Sequence, residues 1–295
     1  MKLKMFFTLL AIGAIGLQSC DKDDDEIASS KVPEVVRNTF SERYPDTRNL
    51  KWELESVSQK QYYKAEFRNR KESDYSTSAW YTTDGTWMMT ETEMPYSAIP
   101  AAIRTSFEGS MYATWKRDNE VDKVERMSVA PVYIIDVESA ADEDVDLYYS
   151  EDGVLIKAVS EAPGSVPGDG SLLPDAPSGT ITAVTAAIKE KYPTATIVEI
   201  DVEHGITEVD IIDGGVSKEV LLDSSHQWIS TSWDVRPAAL PDVIKNAITA
   251  SQYSTYHIDD ADYVETPAGD YYLVELESGK VEVKVKIDPN GQFVI

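Results

Sequence analysis

Four times along this chain an apolar, helix-like opening gives way to a strand-like alternation. The openings are Val32-Pro33-Glu34-Val35-Val36, Ile99-Pro100-Ala101-Ala102-Ile103, Ile181-Thr182-Ala183-Val184 and Leu240-Pro241-Asp242-Val243-Ile244. Apolar residues then recur at helical spacing, as in Val32, Val36, Phe40 and in Val184, Ile188, Tyr192. Proline at the first helical position is preorganised for the turn. Tyr44-Pro45 and Tyr192-Pro193 stop two of the helices, because a proline pushes the residue before it extended.

After each helix the period changes to two. Tyr63, Ala65 and Phe67 alternate with Lys64 and Glu66, and Tyr133, Ile135 and Val137 with Ile134, Asp136 and Glu138. Thr207, Val209 and Ile211 alternate with Glu208 and Asp210, and Tyr272, Val274 and Leu276 with Leu273, Glu275 and Glu277. Such alternation predicts half-buried strands with one wet face. The registers align, so each repeat sets one carboxylate at a shared outward position: Glu66, Asp136, Asp210 and Glu275. A further strand pair follows in each repeat, turned by Asp84-Gly85, Asp152-Gly153, Ser225-His226 and Asn290-Gly291. Trp87, Leu155, Trp228 and Phe293 stand two positions beyond those turns.

One such repeat cannot close a core alone, so the repeats pair. The stretch 162–179 is rich in Pro, Gly and Ser and reads as a linker. The predicted fold class is α+β. Two tandem domains, 31–161 (repeats near 32–95 and 99–161) and 180–295 (repeats near 181–237 and 240–295), each carry helices on one face of an antiparallel meander.

The first residues read as an address. Lys2 and Lys4 precede an apolar run from Met5 to Leu17, then Leu17-Gln18-Ser19-Cys20. That is a secretory signal, 1–19, too short to span a bilayer. The cut falls before Cys20, the single cysteine of the chain, which resembles a bacterial lipoprotein signal and makes Cys20 the lipidated residue. Residues 20–30 read as an acidic tether, and the acidic run after the cysteine resembles an export signal for the outer face of the outer membrane. The expected location is therefore the outer membrane, surface-exposed or else on its periplasmic face, held by the lipid on Cys20.

The duplicated helix-plus-meander, the acid-bearing strand, the Asp-Gly hairpin and the leader together resemble the PepSY-like, beta-lactamase-inhibitor-like proteins of bacterial envelopes. The resemblance covers essentially all of 31–295. It implies tandem inhibitor-like (BLIP-like) domains, similar in fold to a secreted inhibitor that grips its enzyme with the sheet surface of two such domains. It supplies no catalytic residue.

Nor do the residues themselves point to catalysis. There is no nucleophile elbow and no phosphate-cradling loop. His204, His226 and His257 lack a second histidine at metal-ligand spacing. Asp142, Glu143, Asp144, Asp146 and Asp259, Asp260, Asp262 offer oxygen atoms but not the helix-loop-helix calcium pattern, and read as solvated loop charge. The expectation is a non-enzymatic chain without cofactor or resident metal. A formal net charge of −25 repels nucleic acid.

What remains is a surface for a protein or peptide partner. Counting four positions back from each turn's Asp or Asn, Trp80 and Tyr148 share the outward parity of Glu66 and Asp136. Aromatic anchors in a polar surround are the usual composition of a binding hot spot. The expected site is Trp80, Tyr148, Glu66 and Asp136 on the sheet face opposite the helices. Two other readings stand beside this one: a structural surface lipoprotein with no specific ligand, and a calcium-responsive envelope protein.

Overall fold

The four apolar runs make four helices, α1 (Glu34–Arg43), α2 (Ala101–Glu108), α3 (Ser178–Lys191) and α4 (Asp242–Thr249), in a computed structural model that describes residues 26–57, 59–72, 74–160, 172–174 and 178–294. Pro33, Pro100 and Pro241 stand one position earlier than expected, at the N-cap. Their carbonyls accept the first helical bonds, from the amides of Arg37, Arg104 and Lys245 at 3.1, 3.3 and 3.2 Å. Proline's fixed φ suits that extended position, and its missing N–H costs the helix nothing there.

The chain divides into two units between Pro174 and Asp175, inside the expected linker. Most of that linker, like the leader, Cys20 and the first acids of the tether, lies outside the described residues. The tether and the linker each differ from expectation at one edge. Glu26–Ile27 is not free tether but a short strand paired with Glu53 and Trp52, and α3 already starts at Ser178.

In the first unit the strands are β1 (Glu26–Ile27), β2 (Thr47–Val57), β3 (Lys60–Asn69), β4 (Tyr75–Thr82), β5 (Trp87–Pro95), β6 (Lys116–Arg117), β7 (Glu120–Arg126), β8 (Val132–Glu138), β9 (Asp144–Ser150) and β10 (Leu155–Ser160). They form one antiparallel sheet in the order β1-β2-β3-β4-β5-β7-β8-β9-β10, with β6 on β8. The two repeats thus join edge to edge where β5 pairs β7, and α2 lies in the connection between them. The second unit repeats the plan. Its strands are β11 (Thr196–Glu203), β12 (Ile206–Asp213), β13 (Val216–Leu222), β14 (Trp228–Asp234), β15 (His257–Glu265), β16 (Tyr271–Ser278), β17 (Val281–Ile287) and β18 (Phe293–Val294). They pair in sequence order, with the repeats joined at β14 and β15.

The cores are the helix-facing halves of the alternation. Val32, Val36 and Phe40 of the α1 segment pack on Trp52, Ala65, Phe67, Ala79 and Tyr81. Phe40 sets its ring against Trp52 at 5.2 Å and Phe67 at 5.1 Å, both edge-on. In the last repeat Leu240, Ile244 and Ile248 pack on Ala261, Val274, Leu276 and Ile287. Each such side chain contributes about 1.5–3 kcal/mol on burial. Helices on one face only is the expected α+β architecture, and it leaves the opposite face of each sheet to carry function.

The four hairpins share one construction. The amide of Gly85 donates to Thr82 and that of Thr82 to Thr86, with the same pair of bonds at Ser150, Gly153 and Val154, at Asp223, His226 and Gln227, and at Asp288, Gly291 and Gln292. These are three-residue loops ending in a left-handed residue, not two-residue turns. A side-chain oxygen of Thr82, Ser150, Asp223 or Asp288 accepts the amide that closes each loop.

Candidate functional site

In a sheet, neighbouring strands bring side chains of one parity into rows. With Ala65, Phe67, Ala79 and Tyr81 inward, the outer row of the first unit runs Lys51, Glu66, Ser78, Glu91, Val124, Val132, Ser150. The next runs Arg68, Ser76, Glu93, Asp122, Ile134, Tyr148, Lys157. Asp136 pairs Asp146 one row further on. Trp80 lies between Lys64 and Met89.

All four expected site residues are therefore on the outer face. Glu66 and Trp80 are diagonal neighbours on β3 and β4, and Asp136 and Tyr148 on β8 and β9. The two pairs are separated by β5 and β7. Those strands supply Glu91, Glu93 and Asp122, which the sequence reading did not single out. The signal was present: Trp87–Pro95 and Glu120–Arg126 alternate too, but their inward positions include Thr90, Thr92, Lys123 and Glu125, so hydropathy alone does not reveal the parity.

The rings do not project. Trp80 is 1% exposed and Tyr148 9%. Trp80 meets Tyr62 edge-on at 6.4 Å, and the Lys64 ammonium lies 5.6 Å from its ring. Lys157 lies 5.1 Å from the ring of Tyr148. These aromatics are a floor, with the carboxylates around them. The indole Nε1 of Trp80 is buried with no hydrogen-bond partner, a donor facing no acceptor.

Charge dominates the face. Burial raises Asp122, helped by Glu91, Glu93, Asp136 and Glu120, until its carboxyl titrates at about 7. Burial also lifts Glu91, with Glu93 adding to the rise and Lys64 opposing it. Lys64 donates to Glu66 at 2.7 Å and lies 3.3 Å from Glu53. Burial weighs against its charge, yet the two carboxylates hold its pKa above the ordinary lysine value. The cluster is thus short of positive charge: burial and the neighbouring carboxylates make the ionised form of Asp122 costly.

The second unit's outer face is acidic in the same way. Glu199, Asp210 and Glu219 share a row, and Asp260 and Glu275 another with Lys284, whose ammonium is 3.3 Å from Glu275. The four shared outward acids of the repeats are all found where the alternation put them. Asp144 and Asp146 are in β9, and Asp259, Asp260 and Asp262 in β15, so these acids belong to strands rather than to loops. His204 and His226 do stand in turns, both left-handed, and His257 opens β15.

A family model described as "Putative beta-lactamase-inhibitor-like, PepSY-like" matches residues 19–78, 61–157 and 205–294. Among solved structures, a BLIP-like protein from Bacteroides fragilis is 27% identical, covering 45% of this chain and 89% of that one with a TM-score of 0.41. A DUF2874 family protein from Bacteroides ovatus is 25% identical, covering 43% of this chain and 86% of that one with a TM-score of 0.39. No curated protein matches the chain.

Proposed function

Because this chain belongs to the PepSY-like, beta-lactamase-inhibitor-like family, we propose that it is a non-enzymatic protein of the bacterial envelope that holds a cationic protein or peptide segment on the outer faces of its sheets. The anchor is the lipid on Cys20, and the place is the outer membrane. One observation supports this reading above the others: Glu91, Glu93 and Asp122 stand on the outer face between the Glu66–Trp80 and Asp136–Tyr148 pairs, and burial, helped by the neighbouring carboxylates, pushes Asp122 to about 7. A Lys or Arg side chain laid among them relieves that crowding. Binding a cation favours the ionised form of Asp122, so affinity rises with pH through 7 and falls with salt.

The burial of Trp80 decides how this is tested. Trp80→Ala removes a core-like ring and costs about 3–5 kcal/mol, so loss of binding in that variant would say nothing. Glu66→Gln, Glu91→Gln and Asp136→Asn together keep shape and remove charge. The experiment is a calorimetric titration of the purified chain with a Lys-rich peptide at low salt, then capture of basic envelope proteins on both baits. The expected result is saturable binding that weakens at least tenfold in the triple variant and again in raised salt. Binding of equal strength in both chains, or none at low salt, removes the reading.

A further inference from the structure

At the first position of β15, His257 faces its cross-strand partner Glu277 on β16, with Nε2 3.4 Å from Oε2. The strand does not run on regularly from there. A bulge between Ile258 and Asp260 takes Asp259 out of the ladder, and bulges re-aim side chains. The result is that one ligand atom each of His257, Asp259 and Glu277 lies within 4.8 Å of the other two.

From this geometry we infer a transition-metal site, for Zn²⁺ or a similar first-row dication, that clasps β15 to β16. Donors bound tetrahedrally at about 2.0–2.1 Å are about 3.3–3.4 Å apart, the separation already present between His257 and Glu277. Even with every separation at 4.8 Å, a point within about 2.8 Å of all three donors exists, and small rotamer changes close the rest. Imidazole with two carboxylates selects zinc-like dications over calcium, which prefers six to eight oxygens. Asp259 and Glu277 are half-buried and His257 is exposed, so the ion is reached from solvent and a water completes its shell. Among the described residues this is the one grouping of its kind. It lies in the last repeat, on the outward parity of the second sheet, and uses none of Glu66, Glu91, Glu93, Asp122 and Asp136.

The test is a Zn²⁺ titration of the metal-free full chain by calorimetry, followed by thermal melts with and without the ion. The inference expects one ion per chain and a higher melting temperature. His257→Ala and Asp259→Asn should each weaken binding at least tenfold, with unchanged circular dichroism. His204→Ala, at an exposed turn beside Glu203, is the control and should bind as the parent does. No saturable binding up to 1 mM Zn²⁺, equal binding by the His257→Ala chain, or displacement of zinc by equimolar calcium each overturns it.

Discussion

At residue scale the four hairpins explain why glycine recurs. The third loop residue is left-handed in all of them, with φ of 88° at Gly85, 84° at Gly153, 59° at His226 and 86° at Gly291. Space, not only backbone, selects glycine at three of these. A Cβ on Gly153 would meet the carbonyl oxygen of Ala102 at 2.6 Å, and on Gly85 or Gly291 a side-chain methyl of Val35 or Val243 at 2.8 or 2.9 Å. In each case the loop rests on the first turn of its own repeat's helix. Gly279 is also left-handed but faces open space. Gly153→Ala should therefore cost about 2–3 kcal/mol and Gly279→Ala about 1 kcal/mol. Urea midpoints of the two variants check this, and equal losses would mean that contact with the helix contributes nothing. In the third repeat His226 bears the strained conformation, and its Nδ1 is buried without a partner. His226→Gly should stabilise by roughly 1 kcal/mol.

At the scale of elements, the odd repeats dock the end of their helix by one shared device. Beyond α1, Tyr44 shares a hydrogen bond with the Thr90 hydroxyl, which also accepts from Trp87 Nε1 at 2.8 Å. Arg43 lies 3.7 Å over the Trp87 ring. Beyond α3, the Tyr192 hydroxyl donates to Thr231 at 2.7 Å, Trp228 Nε1 donates to the same oxygen at 2.9 Å, and Lys191 lies 3.6 Å over Trp228. Burial raises the pKa of both tyrosines, so each keeps its proton. Thr90→Val keeps the shape and takes the partner from both Tyr44 and Trp87 Nε1, which should cost about 1–3 kcal/mol. Thr231→Val strands only Trp228 Nε1, because the Tyr192 hydroxyl still reaches Glu265 at 3.0 Å, and should cost less. A Thr90→Val loss under about 0.5 kcal/mol in urea unfolding would show that water replaces the threonine. Half of this device was readable in advance: Tyr-Pro marked the helix ends, and Trp87 and Trp228 were seen to be equivalent. Thr90 and Thr231 were not, because a threonine at an inward strand position carries no signal of its own. The same holds for the candidate face. Repeats, helix faces and the parity of Glu66, Trp80, Asp136 and Tyr148 follow from periods of 3.6 and 2. How deeply the rings are buried, and which strands join the two repeats into one sheet, depend on pairings distant in sequence that no local period encodes.

At the scale of the whole molecule, charge is the quantity to vary. The chain carries −25, and the first unit concentrates part of it where water cannot fully screen it. For Asp122 the sign follows from its titration at about 7 in the fold against an ordinary value of 3.8. Between those two pH values the folded chain holds a proton that the unfolded chain has released. Stability therefore falls as pH rises through that window, and the whole penalty is present above 7. Allowing for partial exposure, the group should contribute about 1–2 kcal/mol of difference between pH 5 and pH 8. Asp122→Asn abolishes the titration while keeping the shape. It should raise stability most at pH 8, by less at pH 5 where only part of the penalty applies, and flatten the profile between them. Urea unfolding of both chains at pH 5, 6.5 and 8 measures this, and an identical pH profile in the two would mean that the cluster is solvated and screened. The experiment also bears on the partner surface. A Lys-rich peptide held among Glu91, Glu93, Asp122 and Asp136 supplies the missing positive charge, so it should erase the pH 8 penalty in the parent chain. The Asp122→Asn chain has no such penalty to lose, and the peptide should stabilise it less.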